Sequence, residues 1–134
     1  MTDSAASLGD RPSLLLVDDD ESLCQALSHA LAQRGFAVSV AHDADAAMRA
    51  ARENPPEFAV VDLKMSGASG LTVVQALKAL EAETRIVVLT GYASIATAVE
   101  AIKLGAMHYL AKPVDADEIV KAFGREGADP ATAI

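Results

Sequence analysis

Phe58-Ala59-Val60-Val61-Asp62-Leu63-Lys64 is the stretch whose reading decides the fold. A Val-rich apolar run of this length, closed by the turn residues Ser66 and Gly67, suits a strand buried on both faces of a sheet. Asp62 stands at the carboxyl end of that run, the edge where open α/β sheets bind ligands. Taken alone, such an acid is more simply read as the cap of the turn or helix that follows. Its second meaning comes from the strands around it, which also end in reactive groups.

Upstream, Ser13-Leu14-Leu15-Leu16-Val17 is apolar throughout and runs into Asp18-Asp19-Asp20. A helix is predicted over residues 21–34, with Leu23, Leu27, Ala30 and Leu31 at helical spacing and Gly35 as its stop. Residues 36–40 read as a second strand. Asp43 caps an Ala-rich helix that must end before Pro55-Pro56. Downstream of Asp62, a loop at 67–70 precedes a helix over 71–81 with Leu71, Val74 and Leu77 facing inward. Arg85-Ile86-Val87-Val88-Leu89 is a fourth strand ending at Thr90-Gly91, and Ser94 starts a fourth helix whose core stripe is Ile95, Ala98, Val99 and Ile102. Met107-His108-Tyr109-Leu110-Ala111 is the fifth strand and leads into Lys112-Pro113. The capping-box pattern Asp115-Ala116-Asp117-Glu118 opens a last helix that buries Ile119, Val120 and Phe123.

Five strands alternating with five helices through short loops define an α/β protein with a parallel sheet covered on both faces. Strands one, three and four are the most uniformly apolar and belong in the middle; strands two and five carry Ser39 and His108 and fit the edges. That is the order 2-1-3-4-5 of the flavodoxin-like, doubly wound (βα)5 fold. Residues 13–124 form this domain, residues 1–12 read as a flexible leader, and residues 125–134 read as the start of a linker.

The 134 residues are 51% hydrophobic and 22% charged, as a globular domain requires. With 11 basic against 19 acidic residues the net charge is −8, which argues against direct nucleic-acid binding by this domain and favours metal cations or a basic partner face. The N-terminus is not a signal peptide, and no run approaches the ~18 apolar residues of a membrane span. The single cysteine, Cys24, cannot form an internal disulfide and points to a reducing cytoplasm. It reads as a small buried hydrophobe on the first helix. His29, His42 and His108 are scattered without ligand spacing and read as surface residues.

The strand order brings Asp18, Asp19, Asp62, Thr90 and Lys112 to one sheet edge. Carboxylates ~5 Å apart repel by about 3 kcal/mol at an effective dielectric of ~20, so the site raises a pKa or recruits a cation. Oxygen ligands with room for water select a hard divalent ion, with Mg2+ the natural choice. Beside such an ion Asp62 is a nucleophile towards phosphorus that needs no general base. Lys112 and Thr90 supply a cation and a hydroxyl to the transferring oxygens.

The ordered set Leu16-Val17-Asp18-Asp19-Asp20, Val61-Asp62-Leu63-Lys64-Met65, Val88-Leu89-Thr90-Gly91-Tyr92 and Tyr109-Leu110-Ala111-Lys112-Pro113 resembles the receiver domain of two-component response regulators. The resemblance implies a phosphoryl group passed from a sensor histidine kinase to Asp62. It also implies Mg2+ held by Asp19 and Asp62 directly, by Asp18 through water and by the carbonyl of Lys64. Thr90 and Lys112 would bind the phosphoryl group, and the Lys112–Pro113 peptide would be cis. Tyr109 is either a half-buried edge aromatic or, as the resemblance implies, a switch residue that follows Thr90 and reshapes the surface of the fourth helix, fifth strand and fifth helix. That surface would serve homodimerisation.

Ser66 replaces the family's frequent Pro, and Lys64 and Tyr92 occupy positions that tune phosphoryl lifetime. The stretch 89–99, with Lys103-Leu104-Gly105-Ala106 and 109–113, further resembles the PrrA/RegA/ActR redox-responsive regulators, whose helix-turn-helix output domain follows a linker and would carry DNA binding. Two alternatives stand beside this reading. One is a haloacid-dehalogenase-type phosphatase using Asp18 as nucleophile. The other is a receiver-like interaction module that is never phosphorylated.

Overall fold

The computed structural model describes residues 11–65, 68–91 and 95–124. The leader residues 1–10, the turn residues Ser66 and Gly67, Tyr92, the helix start at Ser94 and the linker 125–134 lie outside the described residues. The strands of the main sheet are β1 (Ser13–Val17), β2 (Ala37–Ala41), β3 (Phe58–Asp62), β4 (Arg85–Thr90) and β5 (His108–Ala111). The helices are α1 (Glu21–Gln33), α2 (Ala44–Glu53), α3 (Gly70–Leu80), α4 (Ile95–Lys103) and α5 (Ala116–Ala122). All sheet pairings are parallel, in the order β2-β1-β3-β4-β5, as the apolar runs require.

Alternate residues of the central strands feed two cores. Leu14, Leu16, Phe58, Val60, Val87 and Leu89 pack on one face with Cys24, Leu27 and Leu31 of α1 and Ile119 of α5. Leu15, Val17, Ala59, Val61, Ile86 and Val88 pack on the other with residues of α2, α3 and α4. Each large aliphatic side chain so buried contributes about 1.5–3 kcal/mol. Gly35 ends α1 with φ +98°, a conformation that other residues adopt only with strain. Asp115 and Glu118 form a complete capping box at the start of α5.

Three details differ from the sequence expectations. The loop after Asp62 contains a short antiparallel ladder, Lys64–Met65 with Ala68–Ser69, and Gly70 is the first residue of α3 instead of a loop residue. In α3, Val73 joins Val74 and Leu77 in the core, whereas Leu71 is half-buried. The largest difference is the roll of α4. Ala98 and Ala101 are buried, while Ile95, Val99 and Ile102 are 48%, 44% and 38% exposed. Small side chains let the helix lie close to β4 and β5, which turns the larger Ile/Val stripe towards solvent.

Candidate functional site

The carboxyl edge of the sheet gathers the candidate residues strand by strand. Asp18 follows β1 directly and extends its ladder, donating its N–H to Ala41 O at 3.1 Å. Asp62 is the last residue of β3, in register with Leu89, and the ladder continues one residue further as Leu63 N–H donates to Leu89 O. Thr90 ends β4, and Lys112 donates its N–H to Thr90 O at 2.8 Å. The Lys112–Pro113 peptide is cis. Asp20, the last of the acidic triplet, serves the helix instead, for its carboxylate caps α1 by accepting from Leu23 N–H at 3.0 Å.

Asp18, Asp62 and Thr90 are buried, and Asp19 is exposed at the rim. Lys112 Nζ lies 3.0 Å from Asp18 Oδ2 and 3.3 Å from Asp62 Oδ2. The first contact is an ion pair, for Asp18 Oδ2 is buried and has no well-directed hydrogen bond. Asp18 Oδ1 accepts from Asp20 N–H, and Asp62 Oδ1 accepts from Lys64 N–H at 3.2 Å. Thr90 Oγ1 donates to Gly91 O at 3.1 Å.

One lysine between two acids leaves a local excess of negative charge. Burial, then the charge of Asp18, push the Asp62 carboxyl above its ordinary range, against the opposing pull of the Lys64 amide and Lys112. Burial works against the Lys112 ammonium, but Asp18 and Asp62 outweigh it and hold its pKa above the usual lysine value. One oxygen from each of Asp18, Asp19 and Asp62 lies within 4.8 Å of the others, an arrangement that could hold a metal ion. An all-oxygen donor set with a buried carboxylate atom met only by an ion pair fits a hard divalent cation.

Other expected residues sit around this centre. Lys64 is exposed and touches the site through its backbone N–H. Tyr109 is half-buried on β5, packed against the core shared with α4, its ring 6.2 Å from that of His108. Cys24 is buried, donates its thiol to Asp18 O at 3.3 Å, and is pushed up to about pKa 11 by burial and by the nearby carboxylates, led by Asp18. Such a thiol is a poor nucleophile. His29, His42 and His108 are all exposed, yet His42 Nδ1 also reaches Asp18 O at 3.0 Å.

Sequence reading missed two residues here. His42 lies 24 positions from the residue it contacts, and nothing local marks it. Gly70 starts α3 against the backbone of Asp62 and Leu63, where a β-carbon would overlap Asp62 O and stand 2.6 Å from Leu63 Cα. A glycine as the first helical residue after the Ser69 cap, where almost any other residue favours the helix more, is the available signal.

A flavodoxin-like sheet that carries an acidic pair, a buried aspartate, a threonine and a lysine at one edge is the arrangement of a receiver class of signalling domain. Residues 14–124 match the family model of the response regulator receiver domain, and the chain belongs to that family. Among curated relatives it is 49% identical over 116 residues to the acid tolerance regulatory protein ActR of Rhizobium meliloti (strain 1021), covering 87% of this chain and 60% of ActR. It is 46% identical over 122 residues to the photosynthetic apparatus regulatory protein RegA of Rhodobacter capsulatus, covering 91% of this chain and 66% of RegA. The subgroup resemblance seen in residues 89–113 is thereby borne out.

The chain spans about 60% of the length of the ActR proteins it matches. Among solved structures, a Burkholderia pseudomallei response regulator with a phosphorylated aspartic acid, a calcium ion and citrate is 45% identical with a TM-score of 0.79, covering 83% of this chain and 65% of that one. The receiver domain of NtrX from Brucella abortus is 29% identical with a TM-score of 0.77, covering 86% of this chain and 99% of that one. Among the described residues no helix is long and apolar enough to cross a membrane.

Proposed function

We propose that this receiver takes a phosphoryl group from a sensor histidine kinase onto Asp62, and that the phosphorylated form changes the surface of α4, β5 and α5 to control a C-terminal output. The observation that carries this reading is the Lys112 ammonium placed between Asp18 and Asp62, 3.3 Å from Asp62 Oδ2. Attack by that oxygen forms the O–P bond as the P–N bond of a phosphohistidine breaks, and the departing imidazole takes a proton from solvent. The incoming group then lies beside Lys112, while Asp62 Oδ1 stays on the Lys64 amide.

Asp18, Asp19, Asp62 and the carbonyl of Lys64 are the proposed ligands of Mg2+, which when bound neutralises the charge on the transferring oxygens. Thr90 would exchange its hydrogen bond to Gly91 O for one to a phosphoryl oxygen. Its movement would open space next to the half-buried Tyr109, so phosphorylation favours one of two packings. The exposed stripe Ile95, Val99 and Ile102 would then be covered by a second copy.

The proposed output is a helix-turn-helix domain that would carry DNA binding, reached through a linker beginning at residues 125–134, in a cytoplasmic regulator. Asp18 as the nucleophile of a phosphatase loses its ground with the family match over residues 14–124. The passive interaction module is an outcome of the test. Acetyl phosphate with Mg2+ is expected to give one acid-stable, base-labile phosphoryl group per chain, and none when EDTA is present from the start. A chain that takes no label under these conditions is the passive module.

A further inference from the structure

We infer that His42 is a positioning residue for the acidic pair, fixing the Asp18–Asp19 peptide so that both carboxylates face the cation site; this rests on the function proposed above. Asp18 O belongs to the planar peptide unit that joins Asp18 to Asp19, so whatever holds this oxygen orients both acids at once. Two side chains hold it: His42 Nδ1 at 3.0 Å and Cys24 Sγ at 3.3 Å. A carbonyl oxygen has two lone pairs and only accepts, so it takes both donors, and the His42 ring carries its proton on Nδ1.

The remaining polar atoms of Asp18 are engaged as well. Its N–H donates to Ala41 O, Oδ1 accepts from Asp20 N–H, and Oδ2 meets the Lys112 ammonium. His42 directly follows Ala41, the last residue of β2. The edge strand therefore grips the Asp18 backbone at two successive residues, through a carbonyl and then through an imidazole. Cys24 donates from a weak S–H on α1, which leaves His42 as the stronger of the two restraints on this oxygen.

The test compares the full chain with His42→Ala and His42→Asn, since Asn carries an N–H where imidazole carries Nδ1. NMR of the metal-free proteins reads the restraint itself. The wild-type ring is expected as the Nδ1–H tautomer. The Asp18 carbonyl carbon should move upfield in His42→Ala and return most of the way in His42→Asn. Calorimetric Mg2+ titration reads the consequence, with affinity expected to fall about tenfold in His42→Ala and to recover most of that loss in His42→Asn. An unchanged Asp18 carbonyl in His42→Ala overturns the inference, as does a moved carbonyl with wild-type Mg2+ affinity. A wild-type chain that takes no Mg2+ defeats the proposed function instead, and the carbonyl shift still decides whether His42 holds Asp18.

Discussion

Lys112 Nζ lies 3.0 Å from Oδ2 of Asp18, a buried carboxylate atom for which this ammonium is the ionic partner. The contact holds the lysine over the site before any phosphoryl group arrives. On the proposed function the lysine would bind the transferred group more than create the nucleophile, since a carboxylate needs no general base. Lys112→Ala is therefore expected to accept phosphoryl from acetyl phosphate but to lose activation-dependent dimerisation. A wild-type dimerisation response in that variant, read by sedimentation, contradicts the assignment.

Asp62 gives a prediction with a definite sign. Burial and the charge of Asp18 raise its pKa above 3.8 in the folded chain. A group with a higher pKa folded than unfolded favours folding in its protonated form; that contribution is complete below the unfolded value and is lost as pH rises through the folded value. Well above the unfolded value Asp62 therefore weighs against folding compared with an uncharged side chain. Asp62→Asn should raise the melting temperature of the metal-free protein at about pH 7, and the gain should shrink on acidification towards about pH 4. An Asn variant no more stable than wild type at neutral pH contradicts this.

Gly70 tests how tightly α3 is docked against Asp62 and Leu63. Replacing Gly by Ala in a helix ordinarily stabilises by roughly 0.5–1 kcal/mol. At this position the new carbon would overlap Asp62 O and Leu63 Cα, both of them backbone atoms with no rotamer to escape into. Gly70→Ala should instead destabilise by about 1–3 kcal/mol in urea titration and lower the rate of phosphorylation. A stabilised variant with normal labelling contradicts the close packing.

Substitution in the exposed stripe of α4 distinguishes the proposed docking surface from a core role. Val99 is 44% exposed, so Val99→Asp should change stability by less than ~0.5 kcal/mol and yet abolish dimerisation of the phosphorylated chain. A loss above ~2 kcal/mol would mean that Val99 belongs to the core after all.

How much of the fold and site is legible in the sequence follows from where the information sits. Strand order is readable because residues 14–17, 58–61 and 86–89 are continuously apolar while Ser39 and His108 interrupt the two edges. The convergence of Asp18, Asp62, Thr90 and Lys112 is readable because each is the residue at or just after the end of a parallel strand. The roll of α4 is not, since Ile95, Val99 and Ile102 have core spacing and only packing reveals that Ala98 and Ala101 fit closer to the sheet. The ladder after Asp62 is invisible because it pairs two residues with two. The hydrogen bond of His42 to Asp18 is a tertiary fact that no local pattern carries, and for Gly70 a glycine at a helix start hints at the close approach that only packing shows.

The most direct measurement is phosphoryl labelling by acetyl phosphate with Mg2+ in wild type, Asp62→Ala, Asp18→Ala and Cys24→Ala, with the labelled residue mapped by mass spectrometry. The expected result is one label on Asp62 in wild type and Cys24→Ala, and none in Asp62→Ala. Label that survives in Asp62→Ala and disappears in Asp18→Ala would contradict Asp62 as the phosphoacceptor.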